Sequence, residues 1–318
     1  MDTLSLFYFS ESAKDLNFTK TANRLYISQQ NLSNHISRLE QMLGIALYER
    51  KPHLALTYAG KCVLQFARNY QLEEDNLRNL ISDISLKEEG YLNIGFVHHR
   101  TSVVVPIIAE KFSQAFPHVT LNFYCRHTSE LTDMLLRGEL DFAIAVDKTH
   151  NAQIEKKFLF KDQVYLMVAK SLLQKYYGED SQKMLETPPK GIYLKNYSKL
   201  PFVNIRSAKL ISDVFECCNC EPNFLITVDF PHTVFTGFYE HIAASIITKT
   251  VYLHMKERVT PEIIFLPINT PSSLPLHSIS LLKNKQKKLS RYGKYFYKIT
   301  VDYFHSLLQE DTPNKKTD

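Results

Sequence analysis

The chain has 318 residues, enough for two or three domains that bury their own cores without metal or disulfide staples. Hydrophobic residues make up 44% of it and charged residues 22%, which excludes a fibrous repeat and global disorder. The formal net charge of +5 permits a polyanionic partner but does not require one.

Several classes of protein are disfavoured by what the sequence lacks. No run of about 18 apolar residues predicts a membrane span, and no basic segment ahead of an apolar one predicts a secretory signal. The 9 glycines form no nucleotide-binding pattern, and neither GxSxG nor a paired-carboxylate signature occurs. We therefore expect no cofactor and no enzymatic activity. The 5 cysteines, an odd number, are expected to be reduced thiols in a cytoplasmic protein.

The first 90 residues are predicted to be helical. Short amphipathic stretches begin at Leu4, run from Phe18 to Leu25 and from Ser28 to Leu43, and a longer helix begins near Thr57. The long helix has an apolar seam close to a heptad repeat, at Val63, Phe66, Tyr70, Leu77, Leu80 and Ile84. A single seam cannot bury itself, so we expect a partner, most simply the same helix of a second copy.

After Gly90 the pattern changes to alternating strands and helices, which predicts parallel α/β layers. The predicted strands are YLNIGFV, VTLNFYC, DFAIAV, QVYLMVA, PFVNI, FLITVDF, ASIIT, IIFLPI and LHSISLL. The predicted helices run from Ser102 to Phe116, Ser129 to Arg137, Lys209 to Cys217, His232 to Tyr239 and Ser290 to Leu308.

The third short helix carries an unusual polar face. Its apolar stripe is Leu32, Ile36 and Leu39, and Ser28 is a good N-cap. The opposite face is almost entirely amides and hydroxyls, at Gln29, Gln30, Asn31, Ser33, Asn34, His35, Ser37 and Arg38. Amides can pair bidentately with adenine, and hydroxyls and helix N-termini suit phosphates. This face fits a helix laid in a DNA major groove, although a polar surface helix without a partner remains an alternative.

About 60 residues resemble the N-terminal domain of LysR-type transcriptional regulators. The matching residues are Phe7, Phe9, Phe18, Ala22, Arg24, Leu25, Ile27-Ser28-Gln29, Leu32-Ser33, Ile36, Leu39-Glu40, Leu43-Gly44, Leu47-Tyr48-Glu49-Arg50, Leu56-Thr57 and Ala59-Gly60. Further along, GYLNIGF and LLRGELDFAIA also fit the layout of that family.

The resemblance implies an N-terminal winged helix-turn-helix, a long linker helix and a two-lobed α/β effector domain similar to periplasmic (type 2) solute-binding proteins. The corresponding boundaries would be 1–57 for DNA binding, 58–89 for the dimerising linker, 90–163 with 269–309 for the first lobe, 164–268 for the second and 310–318 for a tail. Double-stranded DNA carrying an inverted repeat would be bound by a homodimer or homotetramer. The DNA-facing residues would be Thr19, Ser28, Gln29, Gln30, Asn31, Ser33, Asn34, Arg38, Arg50 and Lys51.

Four clusters follow predicted strands, where ligands of α/β domains bind. They are His98, His99, Arg100, Thr101 and Ser102; Arg126, His127 and Thr128; Arg206 and Ser207; and Phe230, His232 and Thr233. Cations and hydroxyls at helix N-termini favour a small anionic effector, such as a carboxylate or phosphate. Each cluster could equally be caps and solvated loop residues.

Metal and redox chemistry receive little support from the sequence. The histidines near residue 98 have no metal-ligand spacing, and no metal is predicted. Cys217, Cys218 and Cys220 could form a thiolate site or a redox switch, but three thiols near a helix end are the simpler interpretation. A rival function is a solute-binding or enzymatic α/β domain whose N-terminal helices only dimerise. A third is a regulator that has lost its response to ligand.

Overall fold

A computed structural model describes residues 2–51, 53–85, 89–97, 101–146, 151–186, 188, 190–206, 209–229, 241–270 and 278–309. Backbone contacts divide the chain into two units. The first comprises residues 1–84 with 286–288, and the second comprises 85–285 with 289–318. Within the described ranges, no helix is both long enough and apolar enough to cross a membrane.

The first unit is built from helices and a two-stranded wing. Its elements are α1 (Thr3–Asp15), α2 (Phe18–Arg24), α3 (Gln29–Leu43), β1 (Tyr48–Glu49), β2 (Ala55–Leu56) and α4 (Tyr58–Ser85), which reaches the unit boundary. Side-chain caps define the helix starts: Asp2, Asn17 and Ser28 accept from backbone N–H groups of α1, α2 and α3. Gly44 ends α3 with a φ of +68°, a conformation that glycine adopts without strain. The predicted helices therefore exist. The wing that the resemblance implied is the antiparallel pair β1–β2, which no local strand pattern had indicated.

The core of this unit gathers around Tyr48. Phe9, Leu32 and Ile36 are fully buried, and the rings of Phe9 and Tyr48 meet at 5.5 Å. The Tyr48 hydroxyl lies 2.6 Å from Oγ of Ser12. Burial raises the pKa of Tyr48 to about 12, so its phenol stays neutral at physiological pH. This phenol ties β1 to α1 from inside the core.

The second unit contains two α/β layers. Its strands are β3 (Gly90–Phe96), β4 (Val119–Cys125), β5 (Phe142–Val146), β6 (Ile154–Lys161), β7 (Val164–Ala169), β8 (Pro201–Ile205), β9 (Asn223–Val228), β10 (Ser245–Thr248), β11 (Ile263–Pro267) and β12 (Ser278–Asn284). Its helices are α5 (Thr101–Ala115), α6 (Thr128–Leu136), α7 (Lys170–Tyr177), α8 (Lys209–Cys217), α9 (Lys249–Met255) and α10 (Arg291–Gln309), with 3-10 turns at Gly178–Leu185 and Leu194–Tyr197.

The strands form a five-stranded sheet in the order β4-β3-β5-β12-β6, a three-stranded sheet in the order β10-β7-β11 and the pair β8-β9. Strands β3, β4 and β5 are parallel, as are β8 and β9. The expectation of purely parallel layers is wrong for β12 and β7, which pair antiparallel with their neighbours. The direction of a strand depends on the end at which the chain re-enters the sheet. The local pattern of apolar residues does not predict that end.

Some elements had no prediction. Strand β6 lies at a sheet edge, and its Lys156 and Lys157 interrupt the apolar pattern that marks a strand. Helices α7 and α9 are too short to show a clear period. The predicted helix from His232 to Tyr239 lies outside the described residues.

The junction of the wing with α4 depends on a close approach at Gly60. Thr57 donates its backbone N–H to the Leu47 carbonyl at 3.0 Å, and its Oγ1 accepts from the N–H of Gly60 at 2.9 Å. A Cβ on Gly60 would lie 2.1 Å from the carbonyl oxygen of Leu47. A backbone oxygen cannot swing aside like a side chain, so only glycine fits here.

We expect Gly60→Ala to lower the free energy of unfolding of the first unit by about 1–3 kcal/mol, through overpacking against the backbone. Chemical denaturation followed by circular dichroism measures it. The matched control is Gly293→Ala in α10, where a Cβ would approach a side-chain oxygen at 3.3 Å. Equal stability of the Gly60→Ala variant and the parent would contradict the packing argument.

Candidate nucleic-acid interface

Helix α3 turns its apolar stripe inward and its amides outward. Leu32, Ile36 and Leu39 are almost completely buried. The outward side chains are exposed at Gln29, Gln30, Asn31, Asn34 and Arg38 and half-buried at Ser33 and Ser37. The structure therefore brings the predicted DNA-facing residues of this helix together on one accessible surface, which we call the α3 face.

The N-terminal end of α3 is exposed to solvent and is capped by a side chain. The Ser28 hydroxyl accepts from the N–H of Asn31 at 3.1 Å, and the first-turn amides of a helix have no intrahelical partner. Together with the helix dipole, this end suits a phosphate. The hydroxyl of Thr19, on α2, donates to Oε1 of Gln29 at 3.0 Å.

Tyr26 is an exposed aromatic residue that the sequence analysis did not select. It lies in the turn between α2 and α3 with a φ of +56°, and 96% of its surface is exposed. A tyrosine in the left-handed region is strained by about 1–2 kcal/mol. Its position two residues before the Ser28 cap was the only signal that could have identified it.

His35 is a correction to the predicted face. It is buried, its ring lies 4.8 Å from that of Tyr8, and its Nδ1 lies 2.9 Å from Oγ of Ser5. The Ser5 hydroxyl donates to Asp2 at 2.7 Å. Because α1 packs against α3 on this side, His35 belongs to the interior rather than to the α3 face.

The wing is anchored by Glu40. Its Oε1 accepts from the backbone N–H of Leu47 at 2.8 Å and of Tyr48 at 3.3 Å, and its Oε2 lies 3.4 Å from Nη2 of Arg50. Arg50 and Lys51 remain exposed. The two basic side chains therefore stand at the base of the wing, within the same unit as the α3 face.

An ion-pair cluster joins α2 to α1. Arg24 donates to carboxylate oxygens of Glu11 and Asp15. Burial opposes ionisation of Asp15, but hydrogen bonds from Arg24, Lys20 and Thr21 outweigh it and lower the pKa of this carboxyl. The cluster therefore ties α2 to α1, and α2 also packs on α3.

In the second unit, two of the four predicted effector clusters are partly described. The N–H of Arg126 donates to the carbonyl of Phe96 at 3.1 Å, which places the ends of β4 and β3 side by side. Arg126 also pairs with Glu130 at 3.0 Å. His127 is the N-cap of α6 without a side-chain cap bond, and Thr128 is the first residue of that helix.

Arg206 follows β8 and lies 3.5 Å from Asp229, which follows the adjacent β9. Both arginines are exposed and have carboxylate neighbours, so neither presents an unbalanced charge. The remaining predicted residues, His98, His99, Arg100, Ser207, Phe230, His232 and Thr233, lie outside the described residues, as do the side chains of Thr101 and Ser102 at the start of α5.

Two thiols that follow the last residue of α8 have a shifted pKa. Burial and neighbouring groups raise the pKa of Cys218 and Cys220, which lowers their thiolate fraction. None of the five cysteines, all of which are described, forms a disulfide bond. Among the described residues, no group of three His, Cys, Asp or Glu side chains is placed to bind a metal ion.

A helix-turn-helix unit with a wing, followed by an α/β unit with a five-stranded sheet, a three-stranded sheet and a strand pair, defines the class of a DNA-binding regulator with a ligand-binding domain. The bacterial regulatory helix-turn-helix of the lysR family matches residues 4–61, and the LysR substrate binding domain matches residues 86–182. The chain thus carries a LysR-type helix-turn-helix domain and a segment of a LysR substrate-binding domain.

Named transcriptional regulators are among its relatives. CysB of Haemophilus influenzae is 30% identical over 155 residues, which cover 48% of this chain and 46% of that protein. YtlI of Bacillus subtilis is 32% identical over 144 residues, which cover 45% and 47%. The similarity thus spans about half the length of these relatives.

Solved structures extend the likeness in fold to nearly the whole chain. A full-length OxyR variant from Pseudomonas aeruginosa has a TM-score of 0.63 at 18% identity and covers 96% of this chain and 95% of its own. CbnR, a LysR-family regulator, has a TM-score of 0.55 at 20% identity and covers 96% and 99%. Both support the architecture of a helical N-terminus and an α/β effector domain.

We expect Asp15→Asn to destabilise the first unit by about 1–3 kcal/mol at neutral pH, since Arg24 would lose one of its two charged partners and keep only Glu11. The pKa of Asp15 is lowered on folding, so its contribution is complete above the unfolded value near 3.8 and is lost as pH falls through the folded pKa. The stability difference between parent and variant should therefore shrink in acid.

Hydrogen exchange of peptides from α1 and α2 measures the change in stability at these two helices. Glu49→Gln, at an exposed position on β1, is the control and should leave stability unchanged. A parent-to-variant difference that stays constant from neutral pH down to about pH 2 would exclude the Asp15 carboxylate as its source.

Proposed function

We propose that this protein is a sequence-specific DNA-binding transcriptional regulator controlled by a small, anionic effector bound between two α/β lobes. One observation carries the DNA-binding part: α3 buries Leu32, Ile36 and Leu39 and leaves a row of amides and hydroxyls accessible at its open N-terminal end. A major groove offers donors and acceptors to such a surface.

In this proposal α3 enters the major groove, and Asn34 and Gln29 read base edges. Ser28, Ser33, Arg38 and the wing residues Arg50 and Lys51 contact the phosphate backbone and set the register. The relative CbnR has been solved with its target DNA, with a TM-score of 0.54 to this chain, which supports the same use of the fold here.

The α4 helix supports a dimer. Phe66, Tyr70, Leu77, Leu80 and Ile81 are large apolar side chains left exposed along one side of it. Beside them, a groove of about 310 Å³ is lined by Thr3, Leu4, Leu6, Phe7 and Ser10 of α1 and by Ala67, Tyr70, Gln71, Glu74 and Arg78 of α4. Contiguous exposed apolar surface of this kind marks an interface, and two copies of α4 place two α3 helices on one inverted repeat.

Control by a ligand follows from the second unit. The C-terminal ends of the parallel strands β3 and β4 lie side by side, as do those of β8 and β9. Arg126 and Arg206 follow two of these strands, at the strand ends where ligands of α/β domains bind. An anion that displaces Glu130 from Arg126, next to His127, or Asp229 from Arg206 would bind there. It acts by binding one arrangement of the lobes more tightly than another. We propose further that the protein is cytoplasmic, has no catalytic activity and needs no cofactor.

A gel shift with the DNA upstream of the coding region tests the function. Site-selective retardation that weakens as salt is raised supports a regulator. Retention of the protein by ligand columns without any DNA selectivity would instead favour a solute-binding domain. Genome-wide mapping of bound sites then identifies the genes, and thermal-shift screening with carboxylates and phosphates tests the effector.

We expect Asn34→Ala to relax base preference at one position of the site by about 1–3 kcal/mol, because a base-edge contact is lost. Arg50→Ala should weaken binding to all sequences alike, because phosphates carry no sequence information. Quantitative competition against singly substituted sites separates the two effects. If Asn34→Ala discriminates among these sites as the parent does, Asn34 reads no base.

We expect Leu77→Lys combined with Ile81→Lys to dissociate the dimer, since burying two charges in an apolar interface is costly. Sedimentation equilibrium measures the mass. Gln65→Lys is the control, because this exposed residue of α4 lies off the apolar side. A doubly substituted protein that remains dimeric at the parent's dissociation constant would place the interface elsewhere.

A further inference from the structure

Tyr26 occupies a backbone position that favours glycine. Helix α2 ends in a Schellman motif, in which the N–H of Ile27 donates to the carbonyl of Ala22 at 3.0 Å and the N–H of Tyr26 donates to the carbonyl of Asn23 at 3.3 Å. This motif places Tyr26 in the left-handed region, with a φ of +56°. Glycine, or less often asparagine, is the usual residue there, because a Cβ is crowded by the following carbonyl oxygen. The turn itself therefore gives no reason for a tyrosine.

Two other non-glycine residues of the described chain have a positive φ, and each has a local explanation. They are Leu16, with a φ of +46°, and Asn219, with a φ of +48°. Asparagine is among the residues that tolerate this conformation. Leu16 is 43% exposed, so more than half of its surface is covered by the protein, whereas Tyr26 is 96% exposed. Contacts within its own chain therefore do not offset the strain at Tyr26.

The position of Tyr26 relative to α3 suggests what does. Tyr26 comes two residues before Ser28, the N-cap of α3, and Ile27 between them is half-buried against the core of the first unit. When a helix enters a major groove with its N-terminal residues toward the bases, the phosphate backbones form the walls of that groove. An exposed side chain that precedes the cap is outside the helix, so it is nearer to a wall than to the base edges.

We propose that Tyr26 contacts the sugar–phosphate backbone of DNA beside the base pairs that α3 reads, with its phenolic O–H donating to a phosphate oxygen. Tyrosine hydroxyls are among the groups that make such contacts, and a hydrogen bond to an ionised phosphate is stronger than one between neutral groups. The contact sets the register of α3 on the duplex and carries no sequence information. Binding to DNA, and not folding, then explains a tyrosine at this position.

This inference rests on the proposed DNA-binding function, and the test separates the two. The full-length parent selects duplexes from a randomised pool, and fluorescence anisotropy measures the dissociation constant for the selected duplex and for its singly substituted variants. Tyr26→Phe removes only the hydroxyl, and we expect it to raise every one of these constants by about fivefold. Tyr91→Phe is the matched control, because Tyr91 is an exposed tyrosine of β3 in the other unit, and it should change none of them.

The dependence on salt identifies the kind of contact. The phenol is uncharged and releases no counterion, so Tyr26→Phe should leave the slope of log affinity against log salt unchanged. Arg50→Ala, which removes a cation, should reduce that slope by about 1. Duplexes with one methylphosphonate at successive positions locate the partner of the hydroxyl. At the contacted phosphate, the difference between the parent and Tyr26→Phe should disappear.

Tyr26→Asn separates binding from folding. Asparagine tolerates the left-handed conformation better than tyrosine does, so this variant should melt at or above the temperature of the parent. It lacks the phenol, so it should bind DNA at least as weakly as Tyr26→Phe. A merely structural role of Tyr26 would instead lower the melting temperature.

Each outcome decides the proposal. Unchanged affinity in Tyr26→Phe, a loss confined to one base pair, the absence of a sensitive phosphate or a lower melting temperature in Tyr26→Asn overturns it. In all of these cases the parent still selects a sequence, and the DNA-binding function stands. A parent that selects no duplex removes the proposed function and this inference together.

Discussion

The burial of one stripe of α3 is the interaction on which the DNA-facing surface depends. Leu32, Ile36 and Leu39 are each removed from water, which contributes roughly 1.5–3 kcal/mol per side chain. A helix has a single angular period, so fixing this stripe against α1 and Tyr48 forces Asn34 and its neighbours outward. The exposed amides are therefore a consequence of packing and need no separate force to hold them in place.

The same core positions the wing. The side chain of Glu40 projects from α3 and accepts hydrogen bonds from two backbone N–H groups at the start of β1. The Tyr48 phenol forms a hydrogen bond with Ser12 of α1. Gly60 then lets the beginning of α4 lie directly on the Leu47 carbonyl. The C-terminal half of α3, the start of the wing and the first turn of α4 are thus joined through short polar contacts.

In the second unit, strand pairing places the candidate ligand-binding residues. Parallel pairing of β3 with β4, and of β8 with β9, brings residues distant in the chain to one edge of each sheet. Arg126 and Arg206 stand at such edges, yet each has a carboxylate within 4 Å. An anionic ligand would have to compete with Glu130 and Asp229 for them, which makes these ion pairs natural points at which binding changes the local structure.

Much of the architecture follows from local patterns. The apolar spacing of α3, the Ser28 cap and the strand VTLNFYC are properties of short segments, and β4 spans the same residues, Val119–Cys125. Of the predicted seam of α4, Phe66, Tyr70, Leu77 and Leu80 are exposed. Val63 instead packs against the core of its own unit, and the side chain of Ile84 lies outside the described residues. Domain boundaries and individual site residues stay predictions, since nothing in the fold alone tests them.

By itself, the sequence determined which residues of α3 could be buried together and in what order helices and strands occur. Only the tertiary structure decided that His35 joins the interior beside Ser5, that β12 runs antiparallel to β5, and that Thr19 meets Gln29. The physical reason is the distance along the chain over which each kind of interaction acts. Hydrophobic periodicity and capping act within a few residues, whereas these contacts depend on how elements far apart in the chain are brought together by the packing of the core.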